Sequence, residues 1–402
     1  MMAYQSQDVS PHFIQSTQAA ILYWQQRMHE IDDENIHQLD RERTNILEAV
    51  KFGLNLSQTW YNTANIALKM FHMVERQGYW QEWIPVLEQA ILSCSDSHIP
   101  LKIKLLSRLG QLLRFTHQLQ AAIEVHQKAE VLAQQLGDNQ ALAVVYSDLS
   151  EDYLRCRNYA TTEKYGYLAL AELNRLEGVG YWRALTLGTL GEMALFCGDL
   201  AMSEKMLVEA VIIRRKLEQS IPLLRTLNKL AITLQTAGKF GAALQCYTEA
   251  SQLLAATPYK LDKVMVQVNL GALYSHLEQW VNAEASLRQV DLVYLRETKK
   301  IYHEAATTQS LGNVILKQGR LEEATLYLQR SVTLWQAIGD RVEQANSLET
   351  LGEAFVGQGR ISEALPLYKK AIALLQEFPD DARARRLMAE FKLDWQRLVE
   401  KE

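Results

Sequence analysis

The chain has 402 residues, 48% of them apolar and 22% charged, a globular balance that excludes wholesale disorder. Forty-two Lys and Arg stand against 47 Asp and Glu, a net charge of −5, which argues against sequence-independent nucleic-acid binding because that task needs a basic surface. With 19 Gly and 7 Pro, the chain has too few turn residues for a loop-rich or β-turn-rich fold.

The first residues, MMAYQSQDVSPHF, lack the basic start and apolar centre of a secretory signal. No apolar run approaches the roughly 20 residues that span a bilayer. The expectation is a cytoplasmic protein with no membrane partner. Cys94, Cys156, Cys197 and Cys246 lie 62, 41 and 49 residues apart, without a CxxC pair, which excludes a zinc ribbon or a thioredoxin-like motif. Lone cysteines of this kind are expected to be small buried hydrophobes.

Residues 1–100 read as helical. The stretch 39–52 is amphipathic, and 78–90, Gly-Tyr-Trp-Gln-Glu-Trp-Ile-Pro-Val-Leu-Glu-Gln-Ala, follows it as a second helical segment. The acidic run Asp32-Asp33-Glu34 has no further ligands patterned around it and reads as a solvated loop or helix start.

From residue 101 to about 380 the chain repeats itself. Leu followed by a small residue recurs as Leu109-Gly110, Leu149-Ser150, Leu190-Gly191, Leu230-Ala231, Leu270-Gly271, Leu311-Gly312 and Leu351-Gly352, at spacings of 40, 41, 40, 40, 41 and 40. Ten residues after each Leu stand Leu119, Tyr159, Leu200, Phe240, Trp280, Leu321 and Ile361. Mostly small residues follow at thirteen (Ala122 through Ala364) and at twenty (Ala129 through Ala371). Apolar positions at three- and four-residue spacing in each half predict two helices per repeat, packed antiparallel and close where the small residues fall. Gly198, Gly238, Gly319 and Gly359 mark the turn inside a repeat, and Gly137, Pro258, Gly339 and Pro379 the break between repeats. Asp138 and Asp340 are placed to cap the helices that follow. Pro366 falls a few residues into the last second helix, where it is expected to be tolerated.

The in-phase Leu-Gly, apolar or aromatic residue, Ala, large residue and Ala resemble the tetratricopeptide repeat. The match is fullest at Leu230-Ala231 with Phe240, Ala243, Tyr247 and Ala250, and at Leu351-Gly352 with Phe355, Ala364, Tyr368 and Ala371. The period is forty instead of the family's thirty-four, and the second helices after Tyr159 and Leu200 look weak. The N-terminal segments resemble the region that follows the nucleotide-binding module in bacterial STAND-type regulators and opens their tetratricopeptide sensor arm. Residues 60–95 count as a degenerate first repeat with Leu68 at the anchor. The resemblance implies an all-α, right-handed superhelical solenoid of antiparallel helix pairs. An N-terminal helical region, 1–100, would precede seven repeats, 101–380, and a capping helix, 381–402.

Chemistry is not patterned in the chain. It holds no G-x-x-x-x-G-K-[ST] phosphate loop, G-x-G-x-x-G, HExxH, G-x-S-x-G or EF-hand loop. Gly238-Lys239 reads as turn punctuation. His117, His126 and His276 read as lone, satisfied or solvated residues. The basic stretch Arg383 to Arg386, with Asp380, Asp381 and Glu390 beside it, reads as a solvated cap. The tryptophans, Trp280 above all, read as packing anchors. No cofactor, metal or catalytic residue is expected.

On the family's geometry the first helices line an inner groove. Its polar members are Lys104, Arg114, Glu151, Arg155, Glu192, Arg225, Asn228, Gln235, Gln309, Asn313, Lys317, Asn346 and Glu353; its apolar patches include Phe115, Leu154, Leu195, Phe196, Ile232, Met265 and Val268. The candidate partner-binding set is Lys104, Arg114, Arg155, Arg225, Asn228, Gln235, Gln309, Asn313 and Lys317, with Asn228 and Asn313 foremost. Asn side chains can bond a peptide backbone, and Arg and Lys can pair with carboxylates. The leading expectation is a non-enzymatic scaffold or sensor that takes a protein or peptide in this groove. The alternative is a small-molecule sensor with a pocket near Phe115, Arg155, Phe196 and Arg225.

Overall fold

The computed structural model describes residues 10–31, 36–218, 220–255, 257, 259–379 and 382–400. Asp32, Asp33, Glu34, Pro258, Asp380 and Asp381 lie outside them, so the readings made on those residues have no structural counterpart here. Among the described residues every regular element is a helix. They divide into two units at 219/220.

The first unit opens with α1 (Pro11–His29), α2 (Arg43–Gly53), α3 (Ser57–Lys69), α4 (Phe71–Gln77) and α5 (Trp80–Leu92). Ser10 caps α1 by accepting from the Phe13 amide at 3.2 Å, and Pro11 occupies its first turn, where no intrahelical donor is lost. Large side chains fuse these helices: Trp83 is fully buried with its indole N–H on the Ala67 carbonyl, and Trp60 donates to the Ala90 carbonyl. Three helix pairs follow: α6 (Ile99–Phe115) with α7 (Leu119–Leu136), α8 (Asn139–Arg155) with α9 (Tyr159–Leu173), and α10 (Gly180–Phe196) with α11 (Leu200–Lys216).

The second unit holds α12 (Ser220–Thr236) with α13 (Phe240–Ala255), then α14 (Lys260–His276) with α15 (Trp280–Leu287) and α16 (Leu292–Glu297). It continues with α17 (Ile301–Lys317) and α18 (Leu321–Ile338), α19 (Arg341–Gly357) and α20 (Ile361–Leu375), and ends in α21 (Ala382–Val399), which packs on α20 and α19.

The turn inside every pair is the same. Eight residues past the anchor Leu the backbone turns left-handed: φ is +83° at Gly198, +74° at Gly238, +77° at Gly319 and +76° at Gly359. Three repeats make that turn without glycine, with φ of +61° at His117, +57° at Arg157 and +56° at Glu278. Asp138 and Asp340 cap as the sequence implies, accepting from the amides of Ala141 and Glu343 at 2.9 and 3.1 Å. Pro366 lies inside an unbroken α20, and Pro85 sits likewise inside α5.

Three expectations change. The second helices after Tyr159 and Leu200 are full length, 15 and 17 residues. The weak one begins at Trp280. It stops after eight residues and restarts at α16, where Asp291 accepts from the Tyr294 amide. Elsewhere small residues at position twenty let the second helix approach its partner, whereas this repeat carries Val290 there. The degenerate repeat is anchored on Met70 rather than Leu68. Met70 is fully buried, Gly78 makes the left-handed turn eight residues on at φ +83°, and Trp80, Trp83 and Ala90 fill positions ten, thirteen and twenty. Finally, Cys156 and Cys197 are exposed at the C-caps of α8 and α10, not buried, because the cap residue lies beyond the last packed turn.

Candidate partner-binding face

Within each unit the first helices of successive pairs pack directly on one another: α6 on α8 on α10, and α12 on α14 on α17 on α19. Each second helix instead wedges between its own partner and the next first helix. The first helices are therefore the crowded, concave side. The crowding is set by the small residue after each anchor. At Gly312 an added Cβ would stand 2.6 Å from the Leu328 side chain, closer than van der Waals contact allows.

In the first unit this face is bound up in its own charges. Arg114 on α6 donates to Asp152 on α8 at 2.6 Å and to the Asp148 carbonyl at 3.2 Å, and its side chain is only 10% exposed. Gln111 donates to Asp148 at 2.7 Å. His126, on α7, is fully buried between them. One ring nitrogen meets the Asp152 carboxylate and the other the Ser107 carbonyl at 3.1 Å. Burial works against charge on His126, but Asp152 and Asp148 outweigh it and raise its pKa above the ordinary imidazole value. Both His126 ring nitrogens face acceptor oxygens, so the protonated ring and Arg114 are placed opposite the Asp148 and Asp152 carboxylates in a buried site. Gly110 makes the room: a Cβ there would lie 2.3 Å from the His126 ring. A repeat further on, Arg155 bridges Glu151 on its own helix at 2.9 Å and Glu192 on α10 at 2.8 Å, and Thr189 donates to Glu151 at 2.7 Å. These carboxylates hold the Arg155 pKa above its usual value although burial opposes it. Lys104 is exposed and makes no ion pair among the described residues.

The second unit is more open. Arg225 on α12 makes a two-point pair with Asp262 on α14, at 2.9 and 3.3 Å. Asn228 is buried and accepts from Asn269 at 2.9 Å, so its carbonyl is committed to the neighbouring repeat. Gln309 is also buried, accepting the Trp335 indole N–H at 2.8 Å. Gln235 accepts from Tyr247 at a long 3.5 Å, and Lys317 reaches Glu353 at 3.5 Å. Asn313 is different. It is half-buried on α17 and its carbonyl oxygen has no hydrogen-bond partner, and the same is true of the Gln267 carbonyl oxygen on α14. Met265, one helical turn from Asn269, is exposed.

Of the sequence-selected set, the structure places Arg114, Arg155, Arg225, Asn228, Gln309 and Lys317 in bonds between helices, the longest being the Lys317 pair. Gln235 is weakly bonded, Lys104 is exposed, and the Asn313 carbonyl oxygen is buried without a hydrogen-bond partner. Phe115, Arg155 and Phe196 stand one repeat apart, each engaged by a neighbour: Phe115 stacks on Trp80 and Phe196 on Tyr159, with centroids 5.3 and 6.3 Å apart. They do not converge on one pocket, and Arg225 belongs to the other unit. The stacking continues with Phe240 on His276 at 6.3 Å. It joins the residue at position ten of one repeat to that at position six of the next.

The buried quartet of Arg114, His126, Asp148 and Asp152 was invisible to motif reading. A positional signal did exist. Sixteen residues after Gly191, Gly271, Gly312 and Gly352 stand Leu207, Leu287, Leu328 and Tyr368, all buried, and His126 occupies that place after Gly110.

Among the described residues no group of three His, Cys, Asp or Glu is placed to hold a metal ion, and no helix is long and apolar enough to cross a membrane.

Comparison with known proteins agrees with this architecture. The family model described as tetratricopeptide repeat matches residues 182–256 and 304–377. No curated protein sequence matches the chain. Among solved structures, a Pyrococcus horikoshii STAND protein (signal transduction ATPase with numerous domains) with a tetratricopeptide repeat sensor is similar in fold. It has a TM-score of 0.69 at 13% identity over 97% of this chain and 56% of that one, so the chain spans little more than half of it. The apo form of the quorum sensor NprR from B. thuringiensis gives 0.56 at 14% identity, over 90% of this chain and 99% of that one. A Rap protein complexed with Competence and Sporulation Factor gives 0.55 at 12%, over 83% and 99%. At such identities the likeness is one of fold. The tetratricopeptide repeat model thus covers parts of both units, and consecutive helix pairs of the same plan make up an all-α solenoid fold.

Proposed function

We propose that the chain is a non-catalytic scaffold or sensor that binds a protein or peptide on the concave face of its second unit. The observation that carries this reading is the set of open side chains on the packed first helices of this unit: Met265 is exposed, and the Lys317 side chain keeps 52% of its surface open beside its long pair with Glu353. A peptide supplies the complement, a carboxylate for Lys317 and an apolar side chain for Met265. Arg225 and Gln235 add polar neighbours on α12, and Asn313 shares α17 with Lys317. The Rap protein above was solved with Competence and Sporulation Factor, which supports a ligand-binding reading by analogy of fold. The motif search and the absence of a convergent catalytic constellation on this face favour binding over catalysis.

The test is affinity capture from native lysate with wild type and a Met265→Glu, Asn313→Ala variant. Both sites lack a structural bond, so helicity should be unchanged. A partner lost only in the variant supports the reading. A partner that binds both equally moves the interface off this face.

A further inference from the structure

The outer side of the first unit carries a groove with a different character. Second helices in this chain are commonly 15–18 residues long, but α5 has 13 and ends at Leu92, while its neighbour α7 has 18. On the side of α5, the last turns of α7 are therefore left uncovered; on the other side Tyr165 of α9 reaches Glu130. The slot left between α5 and α7 is a cavity of about 630 Å³. Ile91, Leu106, Val131 and Leu132 give it an apolar floor and wall. Val131 is exposed, as are Leu92 and Leu136 at the same end. Along α7 the residues facing the slot are Glu124, Gln127, Lys128, Val131 and Gln135, a stripe at three- and four-residue spacing. From Glu124 to Gln135 it runs about 16 Å at the helical rise.

Charge selects the occupant. The lining holds two lysines, Lys102 and Lys128, against one carboxylate, Glu124. Among the described residues neither lysine makes an ion pair or hydrogen bond. Because α6 runs antiparallel to α7, Lys102 near the start of α6 faces the end of the slot that α5 leaves uncovered.

We propose that this slot is a docking site for an acidic amphipathic helix of a partner protein. Its apolar stripe would fill the space over Leu106, Val131 and Leu132, and its Asp or Glu side chains would pair with Lys102 and Lys128. About three turns of helix match the groove's length, and helix-in-groove recognition of this kind places apolar anchors at positions i, i+3 or i+4, and i+7. The site is separate from the concave face and stands or falls independently of it.

The experiment is selection of a random peptide display library on the full chain. The enriched peptides are then measured by fluorescence anisotropy against wild type, Lys102→Glu/Lys128→Glu, Val131→Asp and the concave-face variant Met265→Glu/Asn313→Ala. All the substituted outer residues are at the surface, and far-UV circular dichroism checks that helicity is kept. The milder Lys128→Gln provides a second reading if charge reversal disturbs the fold. Enriched peptides should carry apolar residues at helical spacing with Asp and Glu between. They should bind the charge-reversed and Val131→Asp chains at least about tenfold more weakly, Lys128→Gln less so, and the concave-face variant unchanged. Peptides with no acidic bias, binding indifferent to the lysines, binding lost in the concave-face variant instead, or no enrichment at all would each overturn the proposal.

Discussion

The two units use the same repeat and finish their concave faces in opposite ways. In the first, Arg114, His126, Asp148 and Asp152 lock α6, α7 and α8 together, and Arg155 ties α8 to α10. In the second, a neutral Asn228–Asn269 bond and one Arg225–Asp262 pair join α12 to α14, and Asn313 is left unbonded. A closed charge network gives rigidity and specific register, whereas a face with fewer cross-helix charges keeps side chains such as Met265 and Lys317 open. The comparison shows that a solenoid can assign these tasks to different stretches without changing its backbone plan.

The sharpest way to break the contrast is Asp152→Ala. It leaves the His126 and Arg114 cations buried with half their counter-charge, and such losses cost about 3–5 kcal/mol. Urea unfolding followed by circular dichroism should show a loss of that order; a loss within about 0.5 kcal/mol would mean that the quartet does not hold the first unit.

In the second unit a half-buried acid, Glu349 on α19, offers a different test. Burial, followed by Glu353 and Asp394, pushes its pKa up to about 8. A carboxyl whose folded pKa is raised stabilises fully below its unfolded pKa, and that contribution is lost as the pH rises through about 8. Glu349→Gln should therefore be more stable than wild type at alkaline pH, on the order of 2 kcal/mol, with the gap closing toward pH 4. Thermal melts across that range decide it, and a gap that does not vary with pH would remove Glu349 from the account.

Backbone strain offers a smaller effect in both units. Arg157→Gly, at a left-handed turn that four other repeats make with glycine, should stabilise by about 1 kcal/mol, as should Glu278→Gly in the second unit. Unchanged melting temperatures would show that these turns are relaxed. The smallest change is expected from Asn313→Ala, within about 0.5 kcal/mol, because no bond to its side-chain carbonyl is lost. A larger loss in denaturant unfolding would mean that Asn313 is structural.

Most of the architecture was legible in the residues. The spacing of Leu-Gly pairs, the Ala positions and the turn glycines imply paired helices because close packing and left-handed turns each tolerate few residue types. The candidate face was legible only as a list. Arg114 and Asn313 both satisfy the periodicity for an inward-facing position, yet one is sealed by two carboxylates from the next repeat and the other is covered with its carbonyl oxygen unbonded. His126 looked like a solitary histidine, since its partners Asp148 and Asp152 lie 22 and 26 residues away. Periodicity reports the direction of a side chain from its own helix; it says nothing about what the neighbouring helix brings opposite.

The sequence by itself determined the helix pairs, their forty-residue period and the turn within each. Those features are local, decided by apolar spacing, capping side chains and glycine conformations within one repeat. Only the tertiary structure decided the break after Leu287, the anchor at Met70, the buried quartet and the slot beside α7. Each depends on the fit between one repeat and the next, where a side chain's volume, charge and burial are set by residues about forty positions away.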